Sequence, residues 1–395
     1  MEGKKIIVVG QQPWDIDIGS NAKNIALEFA KHNQVLYVNA PLDRFTRFRR
    51  PRDPKVHKRI LINKGKSPDL IKVEENLWNL YPRMMAESVN WIRSHGLFKL
   101  FNKVNNRRFA KCISDAAERL GFDDFLLFND SLMFKAFHLK ELLKPSKYVY
   151  YTRDYLIVQP YFKRHGERLE GELMHKADLV VANSTYLKEY GEQFNKNSYY
   201  IGQGCELEIF KESEQKHAPE DLQNIKGPII GYVGFLTSMR LDIDLLVHFA
   251  KNRLDLNLVL VGPEDENFQE SELHNLTNVY FLGAKKPNEL PGYINSFDVC
   301  VNPQIVNPLT IGNYPRKIDE YLAMGKPVVA TKTKAMEVFD GYTYLSTSKE
   351  DFVSSIDQAL RENNAEKAKM RKEFAASHTW ENSVKEIYKA VKLAG

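Results

Sequence analysis

Two stretches in the second half of the chain hold residues suited to an anionic, hydroxylated ligand. In the first, Gly231-Tyr-Val-Gly234 closes an apolar run, Arg240 follows within a short loop, and Asp242 opens a helical pattern. Glycine lets a ligand approach the backbone, and a helix N-terminus offers unpaired N–H groups at a positive dipole end. That combination suits a diphosphate, with Arg240 adding a charge-assisted contact. An ordinary tight βα turn would carry the same letters. In the second, Gly312, Asn313 and Tyr314 lead through Pro315 to Lys317 and Glu320, which stand three apart and share a helix face. A carboxylate at Glu320 can accept two hydrogen bonds from the vicinal hydroxyls of a ribose. The glycine-bearing loop can present N–H groups to phosphate or sugar. A surface Lys–Glu pair on a packing helix is the plain alternative. No Gly-x-Gly-x-x-Gly occurs, so the usual dinucleotide fingerprint is missing. Asp15-Ile-Asp17 and Asp242-Ile-Asp244 have the spelling of a divalent-metal pair. The second precedes Leu245-Leu246 and reads better as a helix cap. The ten histidines are scattered without metal-ligand spacing, and no metal site is expected.

Short β-branched runs alternate with helical patterns along the whole chain. Strands are expected at Lys4–Gly10, Gln34–Ala40, Phe125–Asp130, Tyr148–Asp154, Leu179–Ser184 and Tyr199–Gly204. Helices fall between them, at Ser20–His32 with Ser20 as N-cap and at Lys163–Lys176. After residue 205 the same grammar restarts, with strands at Pro228–Gly234, Leu256–Pro263, Val279–Gly283, Val299–Gln304 and Pro327–Lys332. The helix there is Pro315–Gly325, with proline in its first turn and glycine past its end. The polar stretch Lys211–Gly227 reads as a linker, and Glu381–Leu393 as a final amphipathic helix. Alternation of this kind predicts parallel sheets covered by helices on both faces. It predicts two doubly wound domains with a cleft between the carboxyl ends of their sheets, where open α/β sheets bind ligands. A transferase, an epimerase and a binding protein all fit that frame.

At 395 residues, two domains are the natural expectation. A content of 43% hydrophobic and 27% charged residues excludes a disordered or fibrous chain. No apolar run approaches the roughly 18–20 residues that span a bilayer, and Met1–Gly10 lacks the pattern of a secretory signal. Cys112, Cys205 and Cys300 are too far apart in sequence for a zinc site or a disulfide framework, which points to a reducing cytoplasm. The net charge of +5 is unevenly spread: residues 43–66 carry +8 and residues 91–112 carry +6, leaving −9 for the remainder.

The run Lys317-Ile-Asp-Glu320-Tyr-Leu-Ala-Met-Gly325-Lys-Pro-Val-Val resembles the C-domain signature of retaining family-four glycosyltransferases, also called glycosyl transferases group 1. It is most similar to the branch that builds bacterial capsule, exopolysaccharide and teichuronic-acid-type polymers. Trp14-Asp15 to Gly19 resembles the acceptor-side glycine loop, and Ala177–Ser184 the strand closing the N-domain. Gly202-Gln-Gly204, Gly231-Tyr-Val-Gly234, Leu260–Pro263, Phe281-Leu-Gly283 and Asp298–Pro303 follow in family order. The resemblance covers nearly the whole chain except about residues 43–120. It implies a GT-B fold of two Rossmann-like domains, residues 1–205 and 206–377, with a C-terminal helix in 378–395 returning to the first. It implies a nucleotide-sugar donor, UDP or GDP, held by Gly19, Gly234, Arg240, Gly283, Gly312, Asn313, Tyr314, Lys317 and Glu320. The family often carries a second glutamate where this chain has Gly312. In the resembling branch an acid at the strand end Tyr150-Tyr-Thr-Arg153-Asp154 faces the cleft. Asp154 would orient the attacking hydroxyl or balance charge on a developing oxocarbenium, unless it caps a helix or pairs with Arg153. Asp15 and Asp17 are comparable candidates. Transfer with retention and without metal is expected, helix N-termini, Arg240 and Lys317 neutralising the leaving diphosphate. A nucleotide-sugar epimerase and a non-catalytic sugar-nucleotide-binding subunit remain as alternatives. A nucleic-acid partner is not expected, because neither basic segment belongs to a recognised nucleic-acid motif.

The basic segments have a further expectation. Asp43-Arg-Phe45-Thr-Arg47-Phe48-Arg49-Arg50 sets two aromatics among four arginines, and residues 91–112 place Trp91, Leu97 and Phe101 among Lys99, Lys103, Arg107 and Arg108. A basic helix with aromatic residues on its apolar face is the pattern of an interfacial element. It predicts peripheral docking on an anionic membrane at its cytoplasmic face, beside a glycan or lipid-linked acceptor. Packing of the apolar stripe into the N-domain is the other reading.

Overall fold

The computed structural model describes residues 1–16, 19–211 and 218–395. Asp17 and part of the expected linker lie outside the described residues. The chain divides into two compact units, Met1–Gly202 with Ser383–Gly395, and Gln203–Asn382.

The first unit holds β1 (Lys5–Gly10), β2 (Gln34–Asn39), β3 (Leu42–Asp43), β4 (Leu70–Glu74), β5 (Leu77–Leu80), β6 (Met85–Ala86), β7 (Phe125–Asp130), β8 (Lys147–Thr152), β9 (Leu179–Ala182) and β10 (Ser198–Tyr200). Eight of them form one sheet in the order β10-β9-β8-β7-β1-β2-β5-β4, parallel throughout except for the antiparallel β4–β5 pair. Ile6, Ile7, Val8 and Val9 are all fully buried, as continuous apolar runs must be in a sheet covered on both faces. Strand order reverses between β1 and β7, so the crevice of this unit lies where Gly10 and Asp130 end. Ser20 caps the helix Asn21–Ala30, its side chain accepting from the Lys23 backbone. In the terminal helix Trp380–Leu393, Tyr388 stacks on Phe29 at 5.6 Å and accepts a hydrogen bond from Asn33.

Residues 43–120, outside the resemblance, contain most of the unexpected structure. The helix His95–Arg119 begins after Trp91, so Trp91 stands in the preceding loop and not on the helix face. The buried face of that helix includes Phe98, Phe109 and Ile113 but also three asparagines. Asn105 bonds both backbone groups of Glu87, while Asn106 donates to the Phe134 carbonyl and accepts from the His138 N–H. Leu97, Leu100 and Phe101 stay on the exposed side.

The second unit holds β11 (Ile229–Val233), β12 (Asn257–Val261), β13 (Val279–Phe281), β14 (Val299–Asn302), β15 (Val328–Thr331) and β16 (Tyr344–Ser346), in one all-parallel sheet ordered β13-β12-β11-β14-β15-β16. The order reverses at β11/β14, as in dinucleotide-binding domains, although the glycine fingerprint is missing. Asp242 accepts from the Leu245 N–H as N-cap of Ile243–Asn252. The helix expected at Pro315–Gly325 is shorter, Lys317–Ala323, with Pro315 just ahead of its Arg316 cap. Gly325, at φ 73°, takes the left-handed position past the helix end.

Candidate functional site

The crevice of the second unit is built from two loops at the carboxyl ends of β11 and β14. The loop after β11 is tied to the loop after β14 by two backbone hydrogen bonds and a side-chain bond. These run from Asp242 N–H to the Pro303 carbonyl at 2.9 Å, from Ile305 N–H to the Arg240 carbonyl at 2.8 Å, and from Asn307 Nδ2 to the Met239 carbonyl at 3.3 Å, while Gly234 N–H donates to the Val261 carbonyl at the end of β12 at 2.9 Å. Gly234 has φ 142°, and a Cβ there would stand 2.9 Å from Lys317 Nζ. The expected Gly234 and Lys317 therefore meet. A Cβ on Gly262 would strike the Gly234 carbonyl, so these two strand ends approach by backbone alone.

Lys317 Nζ lies 3.9 Å over the Tyr232 ring and donates to the Tyr232 hydroxyl. Burial pushes the Lys317 ammonium down to about 7, Glu320 opposing the shift and Arg240 adding to it. Burial also pushes the Glu320 carboxyl up to about 7, against the pull of Arg316 and Lys317. Both side chains keep part of their surface accessible. Arg316 Nε is buried with no hydrogen-bond partner among the described residues, and such a donor calls for a missing acceptor. Three cations and one carboxylate thus share the start of one short helix and the loop facing it. Such a grouping has donors for an anion and an acceptor for a hydroxyl pair.

The remaining expected residues are placed less uniformly. Arg240 is exposed. Asn313 closes a turn, its N–H donating to Thr310 at 3.0 Å, and Gly312 beside it is buried. Gly283, at φ 67°, follows β13 with open space where a Cβ would point. Tyr314 departs from its expected role. It is buried against Phe339, and its hydroxyl lies 3.2 Å from His378 Nδ1, so it packs the core under the site. Below the helix, Asp319 is fully buried, pairs with His378 at 2.5 Å and accepts from Cys205 Sγ at 3.2 Å.

In the first unit the crevice at β1/β7 is lined by carboxylates. Asp130, fully buried, accepts from Arg153 Nε at 2.9 Å, and the same guanidinium reaches Asp154 at 2.9 Å. Asp154 sits beyond β8 and is paired with Arg153, one of the alternatives read from sequence. Asp15 pairs with Arg59 at 2.7 Å and with Lys58 at 3.8 Å. Burial would raise the Asp15 carboxyl, but the Arg59 hydrogen bond and charge and the Lys58 charge outweigh it and hold it below its usual range. Gly10 is packed so closely on Tyr37 that a Cβ would overlap its hydroxyl. Gly19 is exposed directly before the Ser20 cap.

Of the residues expected at a membrane, Arg47 and Arg49 are exposed on the short helix Arg44–Arg49, and Lys99, Lys103, Arg107 and Arg108 on His95–Arg119, with Trp91 exposed between them. Arg108 pairs with Glu87 at 3.3 Å. No helix of the described residues is long and apolar enough to cross a membrane.

Sequence reasoning missed Arg316, Tyr232, Asp130 and Arg59. Arg316 directly precedes the quoted signature, and Tyr232 stood within Gly231-Tyr-Val-Gly234. Asp130 and Arg59 had no local signal, because distant segments pair with them.

Residues 227–362 match the family described as glycosyl transferases group 1. Over that segment the chain is similar to the glycosyl transferases group 1, and the chain as a whole has a GT-B fold. It is 29% identical over 231 residues to TuaH of Bacillus subtilis, named for teichuronic acid biosynthesis as a glycosyltransferase. That match spans 56% of this chain and 58% of the relative, little more than half of each. Among solved structures, a sucrose-phosphate synthase from Thermosynechococcus elongatus has a TM-score of 0.67 at 17% identity, covering 99% of this chain and 100% of that one. Anabaena HepE in complex with UDP scores 0.65 at 16% identity, again covering 99% and 100%. An E. coli trehalose-6-phosphate protein bound with UDP-2-fluoro glucose scores 0.69 at 12% identity, covering 98% and 99%. These likenesses establish the GT-B fold of two Rossmann-like domains.

Proposed function

We propose that this chain transfers a sugar from a nucleotide-sugar, UDP- or GDP-linked, to a lipid-linked glycan acceptor in the synthesis of a cell-surface polysaccharide. The observation that carries the reading is the β11/β14 crevice, where Arg240, Arg316 and Lys317 converge around Glu320. Glu320 accepts the ribose hydroxyls, and the cations neutralise the diphosphate as it leaves, which is where charge develops in the transition state. That division of labour needs no bound metal. Retention is taken from the resemblance to family four. The name of the B. subtilis relative supports a teichuronic-acid-type polymer, and the UDP complexes of HepE support a uridine donor. The first unit takes the acceptor, with Asp154 orienting its hydroxyl from the end of β8. The exposed arginines and lysines of residues 44–50 and 91–112 dock this unit on the cytoplasmic face of an anionic membrane. Each such residue near the surface contributes roughly 1 kcal/mol.

Thermal shift against UDP-, GDP-, ADP- and dTDP-sugars tests the donor. A ligand that binds only the folded state raises its stability according to concentration over affinity. UDP- or GDP-sugars are expected to raise the melting temperature, and indifference to all four classes would sink the reading. Flotation with phosphatidylglycerol vesicles tests docking, which should weaken with salt and with Lys99, Lys103 and Arg107 changed to Glu. Absence of binding even at low salt removes the membrane part alone.

A further inference from the structure

The first unit contains a second concavity that the transfer chemistry does not use. It encloses about 610 Å³, lined by Phe45, Phe134, Trp91 and Tyr161 on its walls and by Lys135 and Arg164 among its polar groups. That volume is in the range of small-molecule sites, which are mainly apolar with a few placed polar groups. Three wall residues, Phe45, Trp91 and Tyr161, are more than half exposed. The same segments leave Phe48, Leu97 and Leu100 exposed as well. A cluster of bare aromatic and aliphatic side chains on one surface marks an interaction site.

Charge decides what enters. The two carboxylates at the pocket are already satisfied by the protein. Asp43 accepts from Thr46 N–H at 2.9 Å, from the Thr46 hydroxyl at 2.8 Å and from Ser88 at 3.1 Å. Glu87 is paired with Arg44 at 2.7 Å and Arg108 at 3.3 Å. Lys135 donates to the Pro41 carbonyl at 2.9 Å, and an ammonium carries three donors. Arg164 donates to the Asn90 carbonyl at 3.1 Å. The charged lining residues, Lys135 and Arg164 against Asp43 and Glu87, balance, and the positive surplus comes from Arg44 and Arg108, which stand outside the lining and both pair with Glu87.

We propose that this pocket binds a single-chain anionic lipid, the aromatic walls taking its chain and Lys135 with Arg164 its phosphate. The proposal deepens the acceptor side of the function proposed above and rests on that reading: the lipid is the carrier of the acceptor glycan. A neutral sugar would use the aromatic walls but leave the surplus positive charge unmatched. A free phosphate would use the cations but leave the walls bare.

The test titrates dodecyl phosphate, below its micelle concentration, onto the full chain, reading fluorescence of Trp91 and confirming stoichiometry by calorimetry. Dodecanol, inorganic phosphate and maltose serve as comparators. One equivalent of dodecyl phosphate should bind, at least tenfold tighter than dodecanol, with no saturable binding of phosphate or maltose. Phe45→Ala with Tyr161→Ala, both at exposed positions, should weaken binding tenfold or more without moving the melting temperature. Arg164→Gln should remove most of the preference over dodecanol. If the half-buried Lys135→Met variant fails to fold, Arg164→Gln still carries that arm. Binding of dodecyl phosphate that ignores the wall variants, equal binding of inorganic phosphate, or binding of maltose in its place each overturns the proposal. No binding of dodecyl phosphate by a chain that still binds nucleotide-sugar overturns the pocket while leaving the donor reading standing.

Discussion

Each unit reverses its strand order once, and the two reversal points are furnished in opposite ways. At β1/β7 the charged groups are paired with one another: Asp130 and Asp154 share Arg153, and Asp15 takes Arg59, with Asp130 Oδ2 left buried without a hydrogen-bond partner among the described residues. At β11/β14 they are not. Arg316 keeps a buried Nε without a partner among the described residues, and burial pushes Lys317 and Glu320 toward their neutral forms. The same fold thus supplies a crevice whose cations are each paired with a carboxylate and one whose cations outnumber the single carboxylate beside them. A charge already neutralised positions neighbours, whereas an unmatched one is free to bind.

The largest expected effect breaks the first crevice. Arg153→Ala leaves the buried Asp130 carboxylate unpaired and should cost about 3–5 kcal/mol of stability in denaturant unfolding. Arg240→Ala, on the exposed loop of the other crevice, should change stability by less than about 0.5 kcal/mol. Asp154→Asn keeps the fold and should lower turnover about a hundredfold with donor affinity unchanged, the signature of a group used in the transition state. Equal stability losses for the two arginines, or full turnover in Asp154→Asn, would erase the contrast.

A smaller effect sharpens the second crevice. At pH 8.5 the Lys317 amine, pushed down to about 7, is neutral before binding, and the Glu320 carboxyl, pushed up to about 7, is already ionised. Bringing a diphosphate beside Lys317 favours its charged form, so donor binding should take up nearly one proton. Calorimetry in buffers of different ionisation enthalpy measures that uptake, which Lys317→Met should abolish. Zero uptake in the unmodified chain would place the diphosphate elsewhere.

Much of this frame was legible from sequence. Strands such as β1, β7 and β12 are apolar runs buried on both faces, and Ser20 and Asp242 are caps whose chemistry is local. The strands β4 and β5 were not foreseen, since Ile71–Glu74 is half exposed at the sheet edge and has no apolar run. In the site, Lys317 and Glu320 could be paired by helix spacing alone. The Asp130–Arg153 bond joins residues 23 apart, and Arg59–Asp15 joins residues 44 apart, so no local pattern announces either. Tyr314 was misplaced because a glycine-bearing loop says nothing about which way its aromatic residue turns. His378 and Phe339, far along the chain, decide that.

The central claim is that the unmatched charges at β11/β14 hold the nucleotide-sugar, with Glu320 on its ribose. Calorimetric titration of the best ligand from the donor panel into Glu320→Ala tests it most directly. Loss of charge-assisted hydrogen bonds of about 1.5–3 kcal/mol should weaken donor binding by roughly ten- to a hundredfold, with the melting temperature of the unliganded chain nearly unchanged. A variant that folds and binds the donor as tightly as the unmodified chain would contradict the account.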